Sequence, residues 1–180
     1  AAEPSPVAAP VAAMTLRIAS LDVSGFRGRM ERTQIDELAG LIASKKIDVL
    51  AVQGITRYPT VTTRTDLVAA LSSATGMFQV FGETINLSGR QSGNALFSSY
   101  PIASSDGRAY DGVSGNNFEG ALRAIIDAGT RPLVVVSTRL PDPLGATDAR
   151  RCGDLLSMMA SDRGTDPLVV LGKLPRPPGD

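Results

Sequence analysis

The sequence predicts an α/β domain with mixed sheets, and three observations carry that prediction. From Thr15 onward, segments with strand patterning alternate with segments of helical periodicity. Asp48–Gln53, Val134–Val136 and Leu168–Leu171 are short, nearly continuous apolar runs, the signature of strands buried on both faces. At 180 residues the chain is long enough for one compact domain, in a size range where folding buries roughly 68–70% of the unfolded surface.

Each element follows from local chemistry. Thr15–Leu21 alternates apolar and polar residues and reads as the first strand. Gly25 and Gly28 mark a loop, after which Thr33 is the expected cap of a helix. Ile35, Leu38, Leu41 and Ile42 share one face of that helix, and Lys45-Lys46 complement its C-terminal dipole. Asp48–Gln53 is the second strand. A second helix is expected from Asp66 to Ala74, with Leu67, Val68 and Leu71 inward and Gly76 past its end. Met77–Phe81, Ala95–Ser98, Ala121–Asp127 and Pro132–Thr138 read as strands separated by Gly-, Ser- and Asn-rich turns. A third helix is expected from Thr147 to about Asp162, and Leu168–Leu171 forms a last strand before Pro175, Pro177 and Pro178.

Residues 1–14 are almost all Ala, Pro and Val and read as a flexible, partly polyproline tether, leaving 15–180 as the domain. The tether is either the terminus left after removal of a signal, which implies a secreted or periplasmic protein, or an interdomain linker. Eighteen Lys and Arg balance eighteen Asp and Glu. That balance argues against bulk attraction to nucleic acid or anionic lipid. No apolar run approaches the roughly 20 residues that span a bilayer. The single cysteine, Cys152, excludes an internal disulfide and any CxxC motif.

The absence of histidine is the most restrictive count. It removes Ser-His-Asp triads, Cys-His dyads, HExxH zinc helices and any imidazole base. An enzyme built from this chain would rely on carboxylates, lysine, tyrosine, hydroxyls or a cysteine without its usual partner.

Four stretches in order resemble the endonuclease/exonuclease/phosphatase superfamily, the deoxyribonuclease-I-like phosphodiesterases. Leu16–Val23 looks like the family's opening strand and Ile47–Gln53 like its second strand, normally completed by Gln-Glu. Gly93–Ile102 is close to its strand-and-turn signature. Pro132–Leu140, followed by a helix and Pro167–Gly172, follows its Thr-His-Leu and Gly-Asp-x-Asn strands. The resemblance implies a four-layer α/β sandwich and magnesium-assisted phosphodiester hydrolysis with a histidine base. It also implies further strands after the last motif. With the sequence ending at Asp180, the expectation is either a truncated record or a sheet edge near Leu168–Leu171 covered by a protein partner or a second copy.

At the catalytic positions the resemblance breaks. Asp22 stands where the family has asparagine, Gly54 where it has the metal-binding glutamate, and Arg139 where it has the histidine. Lys173 and Pro175 replace the aspartate and asparagine of Gly-Asp-x-Asn. Magnesium takes hard oxygen ligands, usually one or two carboxylates plus water. A lysine 4 Å from such a dication, at an effective dielectric near 20, repels it by about 8 kcal/mol. The expectation is a domain with no intact catalytic set and no cofactor, acting as a binding or interaction module.

Arg139, Lys173, Asn94 and Arg123 are the candidates for holding an anion directly, through charge-assisted hydrogen bonds. Each has a plainer reading. Arg139 and Lys173 would neutralise Asp22 or stand solvated. Asn94 would be a turn residue after Gly93, and Arg123 the exposed side of a strand. Two alternatives stay open at this point. One is a metal-dependent phosphodiesterase recruiting Glu83, Asp106 and Asp111 beside Asp22. The other is a structural subunit of a larger assembly.

Overall fold

The computed structural model describes residues 14–26, 31–59, 64–110, 118–129, 131–140, 149–161 and 164–174. Two four-stranded sheets pack face to face with helices on their outer sides. The first sheet has the order β1 (Ile18–Asp22), β2 (Val49–Arg57), β4 (Arg90–Ser98), β3 (Phe78–Leu87). The second runs β5 (Ile102–Ala109), β6 (Gly120–Asp127), β7 (Pro132–Arg139), β8 (Leu168–Lys173). Helices α1 (Arg32–Lys45) and α2 (Leu67–Thr75) cover the first sheet, and α3 (Ala149–Ala160) covers the second.

Side-chain alternation builds these four layers directly. On β2, Leu50 and Val52 join Ile35, Ile42, Leu67, Val68 and Leu71 of the helices. Val49 and Ala51, one residue out of phase, meet Leu96, Leu122, Ala124, Leu133 and Val135 between the sheets. On β7, Val136 turns outward to Leu155 and Met158 of α3. Strands lined on both faces explain the continuous apolar runs.

The pairs β1/β2 and β7/β8 are parallel, while every other neighbouring pair is antiparallel. Parallel pairing brings the C-terminal tips of β1 and β2, and of β7 and β8, to one end of the sandwich. Asp22 is in register with Gln53, and Arg139 with Lys173.

Some local expectations need correction. Helix α1 starts at Arg32 with Glu31 at the cap, whose N–H donates to Gln34 Oε1 at 2.9 Å. Thr33 lies inside its first turn. Helix α2 starts at Leu67, with Asp66 as its cap rather than its first residue: Asp66 Oδ1 accepts from the N–H groups of Val68 (3.0 Å) and Ala69 (3.1 Å). Gly76 closes α2 at φ 70°. Replacing Asp66 by Ala should cost about 1 kcal/mol in urea unfolding; an unchanged midpoint and slope would show that the cap contributes nothing. The β3–β4 hairpin is longer than its apolar segments suggest, joined by Ser88 (φ 51°) and Gly89 (φ 85°) in a two-residue turn. No described helix is long and apolar enough to cross a membrane.

Candidate functional site at the strand tips

The layer between the sheets changes character along the strands. Its lower part is aliphatic, and its upper part, toward the parallel tips, is polar. Gln53 sits there with no exposed surface. It accepts from Ser20 Oγ at 3.1 Å and donates through Nε2 to Ser137 Oγ at 2.9 Å, tying β1, β2 and β7 together. Asn94 makes a second tie, its Nδ2 donating to the carbonyl of Gly120 at 2.9 Å.

Above this tier the alternation places Asp22, Arg139 and Lys173 on the inter-sheet side of β1, β7 and β8, in phase with Ser20, Ser137 and Leu171. Asp22 is oriented by its own chain: its Oδ1 accepts the N–H of Ser24 at 2.9 Å. Its Oδ2 lies 3.9 Å from Arg139 Nε. The Arg139 guanidinium also stands over the Phe118 ring, 5.8 Å from the centroid, a favourable contact with the ring's negative face. Arg139 Nε is buried and donates no hydrogen bond among the described residues. Among the described residues, the tips of β1, β7 and β8 carry two cations, Arg139 and Lys173, and one carboxylate, Asp22.

Gly54 follows Gln53 in a bulge where the β2–β4 register shifts between Val52 and Ile55. Its φ is +67°, and a Cβ placed on it would lie 2.6 Å from Ser24 Cβ. The 3-10 turn that holds Asp22 thus fills the space a side chain would need. These described residues do not fit a magnesium ion. Gly54 supplies no ligand, Asp22 faces a guanidinium, and no described trio of Asp, Glu or Cys is grouped to hold a metal.

The sequence-derived candidates separate accordingly. Asp22, Gly54, Arg139 and Lys173 come together. Asn94 does not belong with them as an anion contact, nor is it a turn residue. It is mid-strand and fully buried, with Nδ2 spent on Gly120 and Oδ1 without a partner among the described residues. Arg123 faces the other way, in phase with Ala121 and toward α3, where its Nη2 donates to the carbonyl of Ser161 at 2.9 Å. A cation there suits the C-terminal end of α3. Glu83 is exposed on β3 and accepts from Asn86 Nδ2, and Asp106 pairs with Arg108 at 2.9 Å on β5. Neither approaches Asp22. Pro175 and Asp111 lie outside the described residues.

Two participants carry no motif: Ser24, in the 3-10 turn after β1, and Phe118, just before β6. Away from the tips, on the outer face of the second sheet, Glu119 pairs with Arg151 of α3 at 2.8 Å. Beside that pair the Tyr110 hydroxyl bonds to Thr138 Oγ1. Burial pushes the phenol up to about 12, against the hydrogen bond shared with Thr138, so it stays protonated at neutral pH.

The profile of the Endonuclease/Exonuclease/phosphatase family matches residues 19–172, from β1 to β8. The chain belongs to that family. No curated protein matches it. Among solved structures it is similar to an endonuclease/exonuclease/phosphatase family protein from Leptotrichia buccalis, at 17% identity and TM-score 0.64 over 88% of this chain and 66% of that one. It is also similar to a β-hairpin deletion mutant of beta toxin from Staphylococcus aureus, at 14% identity and TM-score 0.61 over 88% and 66% of the two chains. A third is TDP2 from D. rerio, solved with a single-strand DNA product, at 15% identity and TM-score 0.59 over 87% and 58%. At such identities the likeness is one of fold, and the chain spans about two thirds or less of each of these structures. The deoxyribonuclease-I-like fold expected from the resemblance is therefore the observed one. In this endonuclease/exonuclease/phosphatase domain Asp22, Arg139 and Lys173 lie where β1, β7 and β8 end, the usual ligand-binding edge of an α/β sheet.

Proposed function

We propose that this domain is a non-catalytic member of its family, a binding module whose strand tips hold a phosphate-bearing ligand without a metal. The observation that supports the reading is the register pairing of Arg139 with Lys173 on the inter-sheet side, where Asp22 is the only carboxylate among the described residues of the tips. A magnesium site needs several hard oxygens at that place, and an anion site needs what is there: fixed donors and excess positive charge. The phosphodiesters handled by relatives such as TDP2 make phosphate the first ligand chemistry to try.

The decisive experiment pairs binding with turnover. Calorimetry with inorganic phosphate at low ionic strength should show binding, weakened about tenfold or more by Arg139→Ala and by Lys173→Ala, the loss expected for a charge-assisted hydrogen bond. A chromogenic phosphodiester incubated with magnesium or manganese should give no turnover above the metal alone. Metal-dependent hydrolysis abolished by Asp22→Ala would defeat the proposal in favour of an active phosphodiesterase.

A further inference from the structure

We infer that Asp22 is a built-in counter-anion that sets which anions the strand tips accept, a specificity determinant rather than a ligand contact. The inference rests on the anion-binding reading above and adds to it a competitor supplied by the protein itself.

Three features place Asp22 in that role. First, the carboxylate is fixed by the backbone. Oδ1 accepts Ser24 N–H at 2.9 Å, and the Asp22 backbone is in register with Gln53. Second, its other oxygen stands 3.9 Å from Arg139 Nε. That is close enough for Coulomb attraction but beyond a hydrogen bond. Third, Arg139 Nε is buried and makes no hydrogen bond among the described residues, while the guanidinium is held over Phe118. Arg139 is therefore partly neutralised, and an anion that reaches the exposed part of its guanidinium meets the charge of Asp22.

Repulsion of this kind scales with the ligand's charge. A fixed unit charge beside the site lowers affinity for a monoanion by some factor, and for a dianion at the same place by roughly the square of that factor. Asp22 thus biases the tips toward singly charged phosphodiesters and against doubly charged phosphomonoesters. The bias belongs to a carboxylate at this position and would be absent with the asparagine that the family resemblance places there.

The test compares dimethyl phosphate, a monoanion, with methyl phosphate at pH 8, a dianion. Binding is measured by calorimetry at low ionic strength on the whole chain and on Asp22→Asn. The amide of Asn still accepts Ser24 N–H, so the turn is kept; thermal melts check this, and Asp22→Ser repeats the measurement if the Asn variant is unstable. Asp22→Asn should tighten dimethyl phosphate about tenfold and methyl phosphate by a distinctly larger factor, near its square. Detectable binding by Asp22→Asn where the unaltered protein shows none would also bear the inference out. Unchanged or weaker binding in Asp22→Asn, with Arg139→Gln still abolishing it, would overturn the counter-anion role and leave the anion site standing. An equal gain for both ligands would overturn it too, since a structural change does not count charges. No binding by any variant would overturn both readings together.

Discussion

Gly172→Ala should cost at least about 3 kcal/mol, or prevent folding altogether. Gly172 lies at φ +143°, and a Cβ added there would sit 1.8 Å from the Thr138 carbonyl oxygen and 2.8 Å from its carbon. Both are backbone atoms of the neighbouring strand, so no side chain can move aside. Relief requires β8 to shift from β7, which breaks the Thr138–Gly172 and Arg139–Lys173 register. The strand that carries Lys173 therefore depends on glycine for its approach. Urea unfolding checks this, with Gly153→Ala as the control. Gly153 is on α3 with open space around its Cβ position, and alanine there should stabilise by about 0.5–1 kcal/mol. A Gly172→Ala protein as stable as the parent would show that the β7–β8 contact is looser than described.

The second large effect concerns Gly54. Gly54→Glu, which introduces the glutamate that the family resemblance implies at this position, should destabilise by about 2–3 kcal/mol and give no magnesium-dependent hydrolysis. The left-handed backbone at φ +67° alone costs a non-glycine residue about 1–2 kcal/mol. To this is added the overlap with Ser24, whose Cβ and Cα would stand 2.6 and 3.0 Å away. Adding Ser24→Gly should recover part of the loss, because it removes the nearer atom. Coupling between the two substitutions in a double-mutant cycle is the diagnostic measurement. A stable Gly54→Glu protein with metal-dependent turnover would contradict both the backbone argument and the non-catalytic reading.

How much of this was legible in the sequence depended on burial. β2 and β7 announce themselves because both faces are covered, so their residues form unbroken apolar runs. Helix α2 is readable from Asp66 and Gly76, whose side chain and lack of one perform local tasks that need no tertiary context. β5 escaped notice for the opposite reason. It is a half-bare edge strand whose residues from Ala103 to Ala109 are all exposed, so Ser104, Ser105 and Asp106 show no alternation. The far half of β3 was hidden by Gly82, which is glycine because Leu122 and Gly107 crowd its Cβ position.

The site was legible as a set of strand ends, through the order of four motifs, but not as a set of directions. Asn94 and Arg123 share strands with interior residues, and one step of alternation decides whether such a side chain meets the other sheet, a helix or solvent. That decision is made by how sheets stack, which a single chain's patterning does not encode. Ser24 and Phe118 matter only through tertiary placement, beside Asp22 and Arg139.

The Gln53 amide, pinned between Ser20 and Ser137, makes the sandwich its own fastener. The two halves are hydrogen-bonded to each other just below the strand tips. Whatever side chains stand at those tips are carried on a frame whose alignment is fixed one layer beneath them.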